Sequence, residues 1–336
     1  MDGFEFTDTN KMAEEEIKNN YIAWVCPKAE FEVKEIRGKG CGFVSSTFSD
    51  FIKVYEEKDF SNKQIIKLTA FGEISSAYSI KDEMEVCLKV IHTEHMKFDY
   101  KINNSKDYRI DLNNEILILT LFADEKNSVN YYGCYDKDKL RVIVMEKCDS
   151  NLKDFIDERK KSLSTEEIKA NFVNINKILK TIQEKLIIHR DLKPENFLIK
   201  YTNQEKTEYI IKLPDYGISR FKSKKTTKFS GIKGTEDYIA PEILLGKVQK
   251  YDSEVDIFSL GLILYECSHN LKNPFGPVIE ECYIIYKMNY EKDDYNIEFD
   301  ESIKNEDFKD LIRKMLKINP ANRISWKDYF DHPFFK

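Results

Sequence analysis

The sequence lacks the marks of metal sites, disulfide scaffolds, nucleic-acid binders and membrane spans. Its cysteines are Cys26, Cys41, Cys87, Cys134, Cys148, Cys267 and Cys282, an odd number with no C-x-x-C pair. That spacing argues against a zinc site or a disulfide framework and suits a reducing compartment. Five histidines, His92, His95, His189, His269 and His332, form no ligand set, and the i, i+3 pair His92 and His95 reads as surface. Positive charge is not in surplus: 53 basic against 59 acidic residues give a net charge of −6. A general nucleic-acid binder would need the reverse balance. The longest apolar run, around Ile257 to Cys267, is broken by Ser259 and Gly261 and is too short to cross a bilayer. The opening Met1-Asp2-Gly3-Phe4-Glu5 is acidic and has neither the charged nor the apolar region of a secretory signal. The expectation is a cytoplasmic protein, with the nucleus as second choice, that uses neither nucleic acid nor membrane as a partner.

What is present is core material and a change of period along the chain. The 336 residues are 41% apolar and include 22 Phe and 19 Tyr, enough for one large or two ordinary domains. Residues 1 to about 30 read as a polar leader with a short helix at Met12–Ile22. Residues 31 to 57 read as strands: Phe31, Val33 and Ile36 alternate with charged residues, and the glycines of Gly38-Lys39-Gly40-Cys41-Gly42 suit a tight hairpin turn. A second strand-rich stretch begins at Ile65 and runs through Val86-Cys87-Leu88-Lys89-Val90-Ile91 to Leu140–Glu146, interrupted by a polar insertion between His92 and Asn114. A helix follows that insertion, capped by Asn113 or Asn114, with Ile116, Leu117, Leu119, Thr120 and Phe122 on one side. From Asn151 the period becomes helical. Ser164-Thr165-Glu166-Glu167 offers a capping start, and Ile168, Phe172, Ile175, Ile178, Leu179 and Ile182 recur at three and four. A smaller sheet domain followed by a larger helical one, with a cleft between, is the expected architecture.

The chemistry concentrates in Ile188-His189-Arg190-Asp191-Leu192-Lys193-Pro194-Glu195-Asn196-Phe197-Leu198-Ile199, followed by Pro214-Asp215-Tyr216-Gly217. Two carboxylates, a carboxamide and a lysine suit a magnesium-bound nucleotide and a hydroxyl nucleophile. The first stretch resembles the catalytic loop H-R-D-L-K-P-E-N of eukaryotic-type protein kinases, and the second their D-F-G motif with Tyr for Phe. Gly234-Thr235-Glu236-Asp237-Tyr238-Ile239-Ala240-Pro241-Glu242 resembles G-T-x-x-Y-x-A-P-E. Asp256-Ile257-Phe258-Ser259-Leu260-Gly261 resembles D-V-W-S-L-G, and Asn319-Pro320-Ala321-Asn322-Arg323-Ile324-Ser325 resembles N-P-x-x-R-x-S/T. Each match is weak alone, but together and in order they are specific.

The resemblance implies an α+β, two-lobed fold with a β-rich N-lobe at 65–147 and a helical C-lobe at 148–336, preceded by an extension over 1–64. It implies a Ser/Thr protein kinase of the Mg-ATP-dependent class. Asp191 would orient the attacking hydroxyl and Lys193 would neutralise the transferred phosphate. Asn196 and Asp215 would hold Mg2+. Lys89, paired with Glu115, would hold the α- and β-phosphates. The implied nucleotide contacts are Gly72, Ile74, Cys87, Lys89, Met145, Glu146, Cys148 and Leu198, with Met145 as gatekeeper and Glu146, Lys147 and Cys148 as hinge. Asp256 would brace the catalytic loop, and Arg323 would pair with Glu242. Lys53, after the first glycine cluster, is the competing nucleotide lysine.

The chain departs from the family at Lys67 and Thr69, which stand where the first two loop glycines would be. Glycine lets backbone N–H groups approach phosphate closely. An inactive kinase fold serving as an interaction module is therefore the alternative function. A kinase-fold enzyme acting on a small molecule or lipid is the third reading, opposed by the A-P-E segment, which shapes a peptide ledge. Arg220–Lys228 carries five basic residues and no acid. It reads as a solvated loop or as a switch in which an upstream kinase, or the chain itself, phosphorylates Thr226, Thr227 or Ser230 and Arg190 grips the phosphate.

Overall fold

The computed structural model describes residues 53–69, 72–92, 115–116, 118–122, 125–185, 187–214, 219–221, 236–248 and 252–336. The leader, the strand readings before residue 53, the polar insertion, the cap at Asn113 or Asn114, Asp215, and Thr226, Thr227, Ser230 and Thr235 lie outside them. The chain divides into two compact units, one up to Ile102 plus Tyr131–Glu146, the other Asn103–Asn130 plus Lys147–Lys336. The first is β-rich and the second mostly helical, as expected of the α+β class. The helical stretch over 115–122, expected in the N-lobe, groups with the second unit.

Among the described residues the first unit is a six-stranded sheet: β1 (Lys53–Val54), β2 (Phe60–Thr69), β3 (Gly72–Ser79), β4 (Met84–His92), β5 (Tyr131–Lys137) and β6 (Leu140–Glu146), in the order β1-β5-β6-β4-β3-β2. The neighbours are antiparallel except β1 and β5, which run parallel. The expected boundary at residue 65 falls inside β2. β4 has the period of a two-faced strand: Val86, Leu88 and Val90 are buried, while Cys87 and Lys89 point to the other face. The buried face gathers Ala77, Val86, Leu88, Val90, Val142 and Val144, closed by Tyr55. Gly72 is required where β3 meets β4, since a Cβ there would lie 2.0 Å from the carbonyl oxygen of Val90. Cys87, Cys148, Cys267 and Cys282 form no disulfide. Cys134 on β5 is disulfide-bonded, a departure from the expectation of unpaired thiols.

The second unit is built on helices. The helix α1 (Leu152–Arg159) starts where Asn151 Oδ1 accepts from the amide of Asp154 at 3.0 Å. The helix α2 (Thr165–Glu184) opens with the expected capping box, Glu167 N to Ser164 Oγ at 3.2 Å and Ser164 N to Glu167 Oε2 at 2.9 Å. Its buried side is Ile168, Phe172, Ile175, Ile178, Leu179 and Ile182. A four-residue helix α3 (Pro241–Leu244) precedes α4 (Glu254–Ser268), which is buried on every side from Val255 onward. A helix apolar all round sits in a core rather than on a surface, and its polar residues Asp256, Ser259 and Glu266 therefore need partners inside. The helices α5 (Ile279–Asn289), α6 (Glu306–Met315) and α7 (Trp326–Phe330) follow. Two small sheets carry the loop described below: β7 (Ser150–Asn151), β9 (Leu198–Tyr201) and β10 (Tyr209–Lys212) in one, and β8 (Ile187–Ile188) with β11 (Arg220–Phe221) in the other.

β5 begins at Tyr131. The residues before it belong to the second unit and bond within it. Asn127 Nδ2 donates to Ile211 O at 2.8 Å, Leu213 N to Asn127 O at 2.8 Å, and Lys212 Nζ to Ser128 O at 3.0 Å.

Arg323 and Glu242 form the expected pair, and it is fully enclosed. Arg323 Nη1 and Nη2 each donate at 2.8 Å to Glu242, Nη1 also to Glu254 O at 2.9 Å, and Nε to Lys317 O at 3.1 Å. The bridge ties α3, α4 and the C-terminal segment together. Replacing one member strands the other charge in the core, which costs about 3–5 kcal/mol. Arg323→Met should lower the urea midpoint accordingly, and Glu242→Met in the same chain should recover much of the loss. An unchanged midpoint in Arg323→Met would contradict this account.

Candidate functional site

The catalytic-loop residues follow β8 and precede β9, so both ends are held by sheet pairing. Asp256 of α4 reaches this loop from the core. Its Oδ2 accepts from the amide of His189 at 2.7 Å and its Oδ1 from that of Arg190 at 2.8 Å. Arg190 has φ 69°, a left-handed conformation that disfavours a side-chain-bearing residue by about 1–2 kcal/mol. The carboxylate thus fixes a strained residue next to Asp191. Ser219 Oγ donates to His189 O at 3.2 Å, fastening the same turn to the chain that enters β11.

The turn after Arg190 converges on one oxygen. Asn196 Nδ2 donates to Asp191 O at 2.8 Å and to Asp191 Oδ2 at 3.0 Å. Lys193 Nζ lies 3.2 Å from that Oδ2. A 3-10 turn, Pro194–Asn196, sets the spacing: Asn196 N donates to Lys193 O at 2.9 Å and Phe197 N to Pro194 O at 3.2 Å. Phe197 is fully buried, and its carbonyl accepts from Leu152 N at 2.7 Å. Both Asn196 bonds use Nδ2, so Oδ1 is left without a protein partner among the described residues. A carboxamide oxygen beside an aspartate suits a hard cation such as Mg2+. Asp215, the other expected ligand, lies outside the described residues, but Leu213 two positions earlier is buried and bonded to Asn127.

In the first unit, strand register puts Gly72 and Ile74 of β3, Cys87 and Lys89 of β4, and Met145 of β6 on one sheet face. Ile74 is the Cα partner of Lys89, and Met145 that of Cys87. Glu146, partner of Val86, is on the opposite face. Lys53 is in β1, paired with Gly133 at the sheet edge. Glu115 is buried in the helical stretch of the second unit. Cys148 and Leu198 are half-buried there.

Sequence reasoning misses an acidic group beside the loop. Lys153 Nζ meets Glu195 Oε1 at 3.2 Å, while Glu195 Oε2 is buried with no partner among the described residues. Tyr238 donates its hydroxyl to Glu266 Oε2 at 2.7 Å. Burial pushes the Glu266 carboxyl up to about 7; the Tyr238 hydrogen bond opposes the rise, and the charges of Glu195 and Asp237 add to it. The available signal is a charged residue inside Leu264-Tyr265-Glu266-Cys267, a run otherwise read as apolar.

The chain matches the protein kinase domain family over residues 60–335. It belongs to that family. It is 30% identical over 287 residues to the serine/threonine-protein kinase unc-51 of Caenorhabditis elegans, covering 82% of this chain and 31% of that protein. Over 279 residues it is 30% identical to the serine/threonine-protein kinase Nek8 of Danio rerio, with 81% and 36% covered. Over 278 residues it is 33% identical to the probable serine/threonine-protein kinase nek3 of Dictyostelium discoideum, with 80% and 23% covered. The chain thus spans about a third or less of these curated relatives' length. Among the described residues no helix of this kinase-family chain is long and apolar enough to cross a membrane.

Glu266 gives a pH dependence whose sign follows from its raised value. Between its ordinary value of 4.5 and about 7 the folded state keeps a proton that the unfolded state has released. The stabilisation is therefore complete below 4.5 and is lost as pH rises toward 7. Glu266→Gln should flatten the fall of stability with pH in that window. Asp256, also raised by burial, to about 6, should leave a residual slope of the same sign. Urea unfolding at a series of pH values measures this; identical slopes in wild type and Glu266→Gln would refute it.

Proposed function

We propose that this chain is a serine/threonine protein kinase that transfers the terminal phosphoryl group of Mg-ATP to protein hydroxyls. One observation carries the reading: Asn196 and Lys193 converge on Oδ2 of Asp191, in a loop held by the buried Asp256. Phosphoryl transfer asks chiefly for positioning and charge neutralisation, and this cluster offers both. In the proposed step the substrate hydroxyl oxygen forms a bond to the terminal phosphorus. The bond from that phosphorus to the β-phosphate bridging oxygen breaks, and ADP leaves. Asp191 orients the hydroxyl and accepts its proton. Lys193 offsets charge on the phosphoryl oxygens. Asn196 and Asp215 would hold magnesium, which neutralises the phosphates when bound. Lys89 would take the α- and β-phosphates, with Glu115 as its counter-ion. Its central place on the sheet face shared with Ile74, Cys87 and Met145 favours it over Lys53 at the edge.

The names of the relatives favour Ser and Thr as acceptors. The complete loop weighs against the inactive-scaffold reading that Lys67 and Thr69 raised. The cytoplasm is the proposed compartment, supported by the cysteines that form no disulfide and opposed by the disulfide at Cys134. Phosphorylation of Thr226, Thr227 or Ser230, read by Arg190, is the proposed switch.

Radiolabelled ATP with a generic protein substrate tests the proposal. Asp191→Asn should lower incorporation by about 100-fold or more. Changing Thr226, Thr227 and Ser230 together to Ala should lower it less, by weakening the switch. Equal incorporation by wild type and Asp191→Asn would contradict the catalytic assignment, and an unaffected triple variant would remove the switch.

A further inference from the structure

Residues 53–59 precede the stretch that matches the kinase family, yet they are built into its sheet. β1 pairs with β5 through Lys53 with Gly133 and Val54 with Cys134. Glu57 then forms an ion pair with Lys137 at the end of β5. Asp59 O accepts from Ile80 N at 2.8 Å, beyond the end of β3. The segment therefore crosses a whole sheet face, from the β5 edge to the β3–β4 turn. Tyr55 lies midway and is 1% exposed. Its hydroxyl donates to Asp82 Oδ2 at 2.6 Å, and Ser79 Oγ donates to the same oxygen at 2.8 Å. Its ring lies 5.4 Å from that of Phe60, which stacks on Tyr135 at 5.7 Å. Lys81 covers it at 5.5 Å.

The side chains behind which Tyr55 sits are informative. Its cluster includes Val86, Leu88 and Val90, which alternate along β4 with Cys87 and Lys89. One face of β4 is therefore packed under the Tyr55 ring while the other presents Lys89. Strand side chains stand roughly perpendicular to the sheet, so the height and twist of β4 set where the Lys89 stem begins. Packed interiors transmit displacement rather than absorb it. The Tyr55–Asp82–Ser79 hydrogen bonds also fix the turn from which β4 starts. Among the described residues the β2 edge has no comparable cover: Ile65, Ile66 and Leu68 are 59%, 58% and 73% exposed. The strap thus bears on the part of the sheet that carries the lysine.

We propose that Tyr55 is a positioning residue for Lys89, and that the 53–59 strap is a working part of the nucleotide-binding sheet. This rests on the reading of Lys89 as the phosphate-holding lysine. Direct binding of a fluorescent ATP analogue to the full chain, with the folded fraction of each sample measured by circular dichroism, tests it. Tyr55→Ala should weaken binding per folded molecule by about five-fold or more. Tyr55→Phe, which keeps the ring and leaves Asp82 bonded to Ser79, should stay near wild type. Tyr55→Leu, which fills more of the space, should fall between them and serves where Tyr55→Ala does not fold. In a Lys89→Ala chain the Tyr55 substitution should add little, because both act through one contact. A purely structural tyrosine would lower the melting temperature and leave affinity per folded molecule unchanged, which would overturn the proposal. Additive losses in the double variant would overturn it too. Undiminished binding by Lys89→Ala alone would instead overturn the reading of Lys89 and the proposal with it.

Discussion

The two hydrogen bonds from the His189 and Arg190 amides to Asp256 are the constraint on which the candidate site depends. A carboxylate this deep in a core is costly unless its oxygens are satisfied. Here burial raises its pKa to about 6 while the two amides pull the other way. The balance leaves it mainly ionised at neutral pH, so it accepts from both amides at once. In return it holds Arg190 in a left-handed conformation, which turns the chain and presents Asp191, Lys193 and Asn196 together. The candidate loop is thus positioned by the core as well as by its own short strands.

That carboxylate can act only because α4 is itself fixed. Every residue from Val255 to Ser268 is buried. Arg323 caps the arrangement by bonding Glu242 of α3 and the carbonyl of Glu254 at the start of α4. Gly261 lets α4 come close to the end of α6, since a Cβ there would meet Met315 and Leu316 at 2.9 Å. Three of the polar residues inside α4 differ in kind. Asp256 is fully used by the loop, Ser259 Oγ donates to the Tyr238 carbonyl at 2.7 Å, and Glu266 takes the Tyr238 hydroxyl. One helix therefore touches both the catalytic loop and the segment before Pro241.

Elements built from local pattern are legible in the amino-acid order alone. The capping box at Ser164 and the periodic face of α2 form where the pattern puts them. So do the two-faced β4, the bracing by Asp256 and the Arg323–Glu242 pair, the last two implied by resemblance. What stays hidden depends on distant partners. Nothing in Val54-Tyr55-Glu56-Glu57-Lys58-Asp59 marks Tyr55 as a core residue, because one aromatic among charges has no period. Nothing local marks the partners of Asn127, whose side chain bonds to a residue 84 positions away. Glu266 is masked by the apolar run around it, and the bond at Cys134 has no spacing signal. The placement of Lys89 on a shared face with Ile74, Cys87 and Met145 follows from β register, which depends on the neighbouring strands and not on the pattern at Val86–Ile91.

The most direct measurement is kcat for phosphotransfer by Asp256→Asn, expressed per folded molecule. The asparagine keeps the shape but sets an NH2 group against one of the two amides. If the carboxylate orders the loop, kcat should fall about 100-fold, the scale of a small misplacement of reacting groups, while circular dichroism shows the fold retained. A folded Asp256→Asn protein with wild-type kcat would contradict the account.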